Sequence, residues 1–315
     1  SFEKLRKYVF ENASITSLVD FGTELFDGKV GHNPVVAWVC RDTKLNYKMT
    51  AVRLVDYCYS RRDEKEKEFF NDENRFSARQ DNFEKIPGAP VAYWVSEKIH
   101  KIFEREKKIC DFAEPRHGMS TGNNELCLKL WHEIAYVNIF FDANSLEEFD
   151  KHKCKYAPYK KGGEYRLWYG NNDYVIAYNP ESREKMQKLS GYRSSSTEFF
   201  FKPSINWSDV SSSYFGTRMS PRGFAFDGRG ASMFCKDEYR LYLLALLASV
   251  ITSAILNILN PTLTYNIENV SNIPVILSCE NKKKVEEKAQ ACYRVSKKDW
   301  DSFETSWDFK KHPLI

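Results

Sequence analysis

The run Leu241 to Leu259, LYLLALLASVITSAILNIL, decides what kind of fold this chain has. It carries no charge over 19 residues, and a helix crossing a bilayer needs about 20. Its pattern points elsewhere. Ala245, Ser249, Ser253 and Asn257 recur every four residues, so one stripe is small or polar while Leu, Val and Ile fill the rest. A helix of this kind is buried inside a domain, its small stripe letting a neighbouring element approach. Nothing flanking it resembles an anchored topology, and Asn260-Pro261 stops it. The reading is one long buried helix and no membrane contact.

Around that helix the 315 residues allow about two domains. The net charge is only +4, but residues 151 to 230 hold 14 Lys and Arg against 7 Asp and Glu, which leaves the remainder of the chain acidic. The same segment holds 16 aromatic residues, so cations and stacking faces interleave, although part of the aromatic set must build a core. No pair of the eight cysteines has zinc-knuckle or redox spacing, and the six histidines form no ligand motif. A reduced, cytoplasmic protein without a metal is expected. The chain opens on Ser1-Phe2-Glu3-Lys4 in mid-pattern, without a signal sequence or a methionine, as an excised fragment would.

From the N-terminus, Phe2 to Asn12 reads as a helix, Ile15 to Phe21 as a strand, Val35 to Cys40 as a buried-type strand and Met49 to Tyr57 as its neighbour. Together these could close an α/β sheet. Residues 61 to 117 begin with the charged run RRDEKEKEFFNDENR and read as a linker and helix, with a domain boundary near 60 to 85 and helical spacing over Val91 to Phe103. Thr197 to Phe234 reads as short strands at Phe199-Phe200-Phe201, Ile205 to Ser208 and Gly223 to Asp227. Turns at Ser211 to Ser213 and Ser220 to Arg222 would leave Arg218, Arg222 and Arg229 on or beside exposed loops. The fold class is therefore α/β followed by mixed α+β, with a β-rich part and the long buried helix.

Two loops carry the chemistry. Lys160 to Asn172, KKGGEYRLWYGNN, combines cations for phosphate, glycines that allow close backbone approach, and paired amides able to read adenine. Lys160, Lys161, Arg193 and Arg218 are the phosphate candidates; Arg166, Asn171 and Asn172 are the base-reading candidates, guanidinium suiting guanine and amide suiting adenine. Solvated surface positions are the other reading of each. Gly118 to Asn124, GMSTGNN, opens onto the amphipathic segment Glu125 to Ile134, where free N–H groups suit an anion. Ser120, Thr121 and Asn123 are secondary DNA candidates, with ordinary capping as their alternative role.

Several phrases together resemble one family: NFEKIPGAPVAYWVSEKI, GMSTGNNELCLKLWHEI, YKKGGEYRLWYGNNDYVIAY, INWSDVSSSYFGTRMSPRGFAFD, ILNPTLTYNIENVSNIPVI and KKDWDSFETSWDFKKHPL. The chain looks like the C-terminal half of the adenine-specific DNA methyltransferases of BREX phage-defence systems, which are similar to type IIG restriction–modification enzymes. The resemblance implies that residues 1 to 60 are the terminal helix and strands of a Rossmann-like methyltransferase sheet. It makes 118 to 278 the target-recognition domain and 279 to 315 the start of a C-terminal helical region. It also implies double-stranded DNA as partner, other defence proteins as further partners, and S-adenosylmethionine as cofactor of the parent enzyme.

The departures matter as much. The family's Asn/Asp-Pro-Pro-Tyr/Phe motif, which holds a flipped adenine, is missing: Asn260-Pro261-Thr262-Leu263 and Asn33-Pro34-Val35-Val36 both fail to match it. Phe226-Asp227-Gly228-Arg229-Gly230 fits a cofactor-loop pattern, but Tyr239 to Ile267 contains no acid to hold a ribose. No catalytic or cofactor-binding residue is expected in this fragment, and by itself it should not methylate. A protein-docking module using the same basic and aromatic surface is the alternative.

Overall fold

The computed structural model describes residues 3–28, 31, 33–211, 214–260, 262 and 264–315, with the backbone alone at Cys279. The anticipated turn at Ser212 and Ser213, and Pro261 and Leu263 of the motif remnant, lie outside the described residues. The chain forms two compact units that divide between Glu106 and Lys107.

In the first unit, helix α1 (Glu3–Asn12) precedes β1 (Ser14–Gly22), β2 (Val35–Arg41) and β3 (Lys48–Arg53). A short helix α2 (Lys65–Phe69), β4 (Arg75–Arg79) and α3 (Glu97–Arg105) complete it. The sheet order is β2-β1-β3-β4, with β1 and β3 parallel and both outer strands antiparallel to their neighbours. Phe10 of α1, Ile15 and Leu18 of β1 and Met49 and Ala51 of β3 close a core with Phe83, Ala89 and Tyr93. Two expectations change here. The charged stretch after residue 60 is no boundary, because β4 pairs with β3 along Lys48–Val52 inside the same unit. Nor is β2 buried: it is an edge strand with Val36, Trp38 and Val39 exposed by 50%, 39% and 59%.

The second unit contains β5 (Ala113–Arg116), β6 (Ser120–Thr121), the single turn α4 (Asn124–Cys127), β7 (Leu128–Leu130) and α5 (Leu146–His152). Next come β8 (Tyr156–Lys160), β9 (Tyr174–Ala177), α6 (Pro180–Gln187) and β10 (Tyr192–Arg193). Then follow β11 (Ser204–Trp207), β12 (Thr217–Ser220), β13 (Ala225–Phe226) and β14 (Ser232–Cys235). Helices α7 (Asp237–Leu247), α8 (Val250–Leu259), α9 (Ile267–Ser271) and α10 (Cys279–Trp300) end the chain. Two four-stranded sheets, β12-β11-β14-β5 and β13-β8-β9-β7, enclose an aromatic core that includes Phe149, Tyr159, Phe200, Phe201 and Phe226. The triple phenylalanine supplies this core from a turn and not from a strand. Phe201 sits at φ 69°, its N–H donating to Phe224 O and its carbonyl accepting from Gly223 N.

The apolar run splits. Ser249 interrupts it, accepting from Thr252 N at 3.4 Å while its hydroxyl donates to Leu246 O at 2.6 Å, and α7 and α8 meet at 77°. The single long buried helix expected from the sequence is thus two short ones. No single helix among the described residues is long and apolar enough to cross a membrane. The long helix is instead α10, 22 residues rich in Lys, Glu and Ala, with Glu280 in its first turn and Lys297 and Lys298 in its last, matching the helix dipole.

Candidate nucleic-acid interface

The loop between β8 and β9 turns inward more than outward. Gly162 (φ 95°) and Gly163 (φ 119°) bend the chain away from β8, and Ser208 Oγ donates to Gly163 O at 2.7 Å. Trp168 then bonds along β12, its N–H to Thr217 O and its carbonyl from Met219 N. Helix α10 docks on the result. Ser296 Oγ donates to Leu167 O at 2.9 Å, and Arg166 pairs with Asp299 at 2.6 Å with its guanidinium 4.7 Å from the Trp300 ring centre.

Three predicted site residues in and beside this loop are buried. The Lys160 amine donates to Gly170 O at 3.0 Å and to Asn172 Oδ1, and lies 4.8 Å from the Phe224 ring centre. Burial, then the charge of Arg218, push this amine well below the usual lysine range. Arg218 lies in β12, where it donates to Asn206 Oδ1, Ser208 Oγ and Glu164 O. Burial, then Arg166, bring its guanidinium down to about 10. Asn172 is buried as well, its Nδ2 having no partner among the described residues.

These contacts correct the reading of Lys160 and Arg218 as loop cations open to phosphate, because each is a buried residue with internal partners. They equally leave Asn172 facing no base, Arg166 engaged by Asp299, and Asn171 (φ 54°) donating to Glu164 O at 2.9 Å. Thr121 is buried with its hydroxyl on Asn124 Oδ1, and Asn123 caps α4 by accepting from Leu126 N at 3.1 Å. Capping describes Asn123, whereas Thr121 donates to the Asn124 side chain from a buried position.

Other cations remain outward, and backbone pairing gathers them. Gly118 packs so tightly on Phe226 that an added Cβ would lie 1.9 Å from its carbonyl oxygen, so only glycine allows the approach. Gly118 N then donates to Asp227 O, Met119 N to Phe226 O, and Gly228 N to Met119 O. One residue on, Ser120 pairs with Arg193 across β6 and β10. On the other side of Asp227, Lys160 O accepts from Asp227 N, and Arg229 O lies 3.3 Å from where a Cβ on Gly162 would stand. Lys161, Ser120, Arg193 and Arg229 therefore sit on interlocked loops. Ser120, Arg193 and Arg229 are exposed, and Lys161 is half-buried with its amine 4.6 Å from the Tyr174 ring centre.

This surface has mixed chemistry. His117 Nδ1 lies 2.8 Å from Gly228 O, and Asp209 holds a buried Oδ1 with no partner among the described residues. Burial raises the Asp209 carboxyl, with His117 and Arg229 opposing. At the loop tip, Tyr165 and Tyr214 are exposed with ring centres 6.1 Å apart. Sequence reasoning did not select Arg229, His117 or this tyrosine pair for contact. Arg229 was read as lying on or beside an exposed loop, and inside a glycine pattern weighed as a cofactor loop, but was not chosen as a contact.

The fold is shared with restriction–modification enzymes: the type IIL enzyme MmeI, solved in complex with DNA, matches with a TM-score of 0.50 at 11% identity, covering 96% of this chain and 41% of that one. The sequence takes the relation further. The chain is 34% identical, over all of its length, to the adenine-specific methyltransferase PglX of Lacticaseibacillus casei, and 31% identical to BrxX of Escherichia coli O9:H4. It is homologous to a segment of these BREX-type adenine-specific methyltransferases, as the resemblance implied. It spans only 27% and 25% of the length of the two relatives. No family model matches the chain.

Proposed function

We propose that this chain is the DNA-recognition portion of an adenine-specific methyltransferase of a phage-defence system, acting in the cytoplasm. The observation that carries this reading is the gathering of Lys161, Arg193 and Arg229, with Ser120 between them, on interlocked loops of a chain related throughout to adenine methyltransferases. Cations on ordered loops neutralise phosphate and fix register on a duplex without reading sequence. Tyr165 and Tyr214 at the loop tip supply apolar contact. On the same reading, residues 118 to 278 form the target-recognition domain, and the sheet with the parallel pair β1 and β3 ends the Rossmann-like core.

Methyl transfer from S-adenosylmethionine belongs to the longer protein. The loop Phe226 to Gly230 does not fit that cofactor, because its N–H groups at Asp227, Gly228 and Arg229 already bind Lys160 O, Met119 O and Asp227 Oδ1. The Asp227 carboxylate also accepts from Tyr159 OH at 2.8 Å.

Fluorescence anisotropy with a labelled duplex, across about 50 to 200 mM salt, tests the reading. The wild-type affinity should fall steeply with salt. Replacing Lys161, Arg193 and Arg229 together by Gln should weaken binding and flatten the slope of log K against log salt by up to about 0.9 for each phosphate no longer neutralised. Absence of duplex binding at the lowest salt would sink the reading in favour of protein docking.

A further inference from the structure

Beyond the loops already described, α10 and the segment after it form an open groove of about 590 Å³ lined by Arg294, Lys297, Lys298, Lys310 and Lys311. Its two carboxylates face one cation. Asp301 and Asp308 both bind the Lys297 amine, at 2.6 and 2.8 Å. Arg294, Lys298, Lys310 and Lys311 are exposed, and their side chains make no ion pair or hydrogen bond among the described residues. Lys151, Lys185 and Lys188 in this unit are matched one turn away by Glu147, Glu181 and Glu184, at 2.6 to 2.8 Å, whereas the groove gathers four exposed cations and directs both its carboxylates at Lys297.

Its walls are held in place. Buried Ser306 donates to Asp301 Oδ1 at 2.7 Å and accepts from Asp308 N, Thr305 O accepts from Trp131 Nε1, and the Trp307 ring packs on Phe141 and Phe224. The Lys297 amine also lies 4.9 Å from the Tyr169 ring centre, joining the groove to the β8–β9 loop. Arg294 and Lys298 stand four residues apart on α10, hence about 5–6 Å apart at Cβ. Two long cationic side chains on one helix face present adjacent positive charge to a run of strand phosphates, whatever the base sequence.

We propose that this groove grips the phosphate backbone of duplex DNA through Arg294, Lys298, Lys310 and Lys311, as a contact separate from Lys161, Arg193 and Arg229. The inference rests on the reading of the chain as a DNA-recognition portion. Lys297 is the support: held by two carboxylates, it fixes the segment that carries Lys310 and Lys311.

Duplex binding by the full chain tests it, with the fourfold variant Arg294→Gln, Lys298→Gln, Lys310→Gln, Lys311→Gln beside a control, Lys283→Gln with Lys284→Gln, at exposed positions near the start of α10. The fourfold variant should show a salt slope flatter by up to about 0.9 for each phosphate it releases, and the control the wild-type slope. Wild-type slope and affinity in the fourfold variant, with the wild-type chain binding, would overturn the groove and leave the proposed function standing. An equal loss in the control would reduce the effect to overall charge and also overturn it. If the wild-type chain binds no duplex, both readings fall. Poly-glutamate binding that depends on the same four cations, with duplex binding unmoved, would reassign the groove to acidic proteins.

Discussion

Lys160 shows how a basic residue in a basic loop can serve the interior. Its amine meets two acceptors, Gly170 O and Asn172 Oδ1, which a neutral amine's two hydrogens match, and Arg218 beside it makes a second buried charge costly. The pH consequence has a definite sign. With the folded pKa below the unfolded value, the unfolded chain binds more protons between the folded pKa and about 10.5, so this residue's contribution to stability rises with pH across that window. Below the folded pKa its penalty is complete. Lys160→Met removes that dependence while orphaning two acceptors, at roughly 1–3 kcal/mol each. Urea midpoints of wild type and variant between pH 7 and 10 should diverge in favour of wild type as pH rises. A constant difference would mean that the amine is charged when folded. Nothing in KKGGEYRLWYGNN distinguishes Lys160 from Lys161 by composition; only the end of β8, which buries one and not the other, separates them.

Among elements, local patterns were legible where one strand or helix decides its own fate. The limits of α1 and the positions of β1 and β2 follow from apolar spacing and branched residues. The split between α7 and α8 did not follow, because the four-residue stripe through Ser249 continues across the break. What breaks it is competition: the Ser249 and Thr252 hydroxyls both donate to Leu246 O, taking a carbonyl at the end of α7. Ser249→Ala removes the cap of α8 and should cost about 1 kcal/mol, within the usual 0.5–2 for such caps, read as a lowered urea midpoint with unchanged slope. An unchanged midpoint would show that packing alone fixes the bend. The phenylalanine run is the converse case, three β-formers placed in a turn because the core needs their rings at one point.

For the whole molecule, the kinship with adenine-specific methyltransferases was legible in several long phrases, whereas the contacts that order the candidate site were not. The charge density over residues 151 to 230 lies in the second unit, and the gathering of Lys161, Arg193 and Arg229 that carries the proposed reading depends on pairings between distant segments, such as Ser120 with Arg193. The groove on α10 depends on two carboxylates meeting Lys297: Asp301, four residues on, follows from helical spacing, whereas Asp308 does not. On the proposed reading, this chain should transfer no label from methyl-tritiated S-adenosylmethionine to duplex DNA. Incorporation above a no-protein blank would reverse that assignment.

The bare edge of β2 bears on how such a protein behaves in a tube. Among the described residues β2 pairs only with β1, so its outer backbone groups and its valines form a ready seam for a second strand. Concentrated samples of this chain should cloud through that seam, and Val36→Lys should keep them clear in a turbidity measurement.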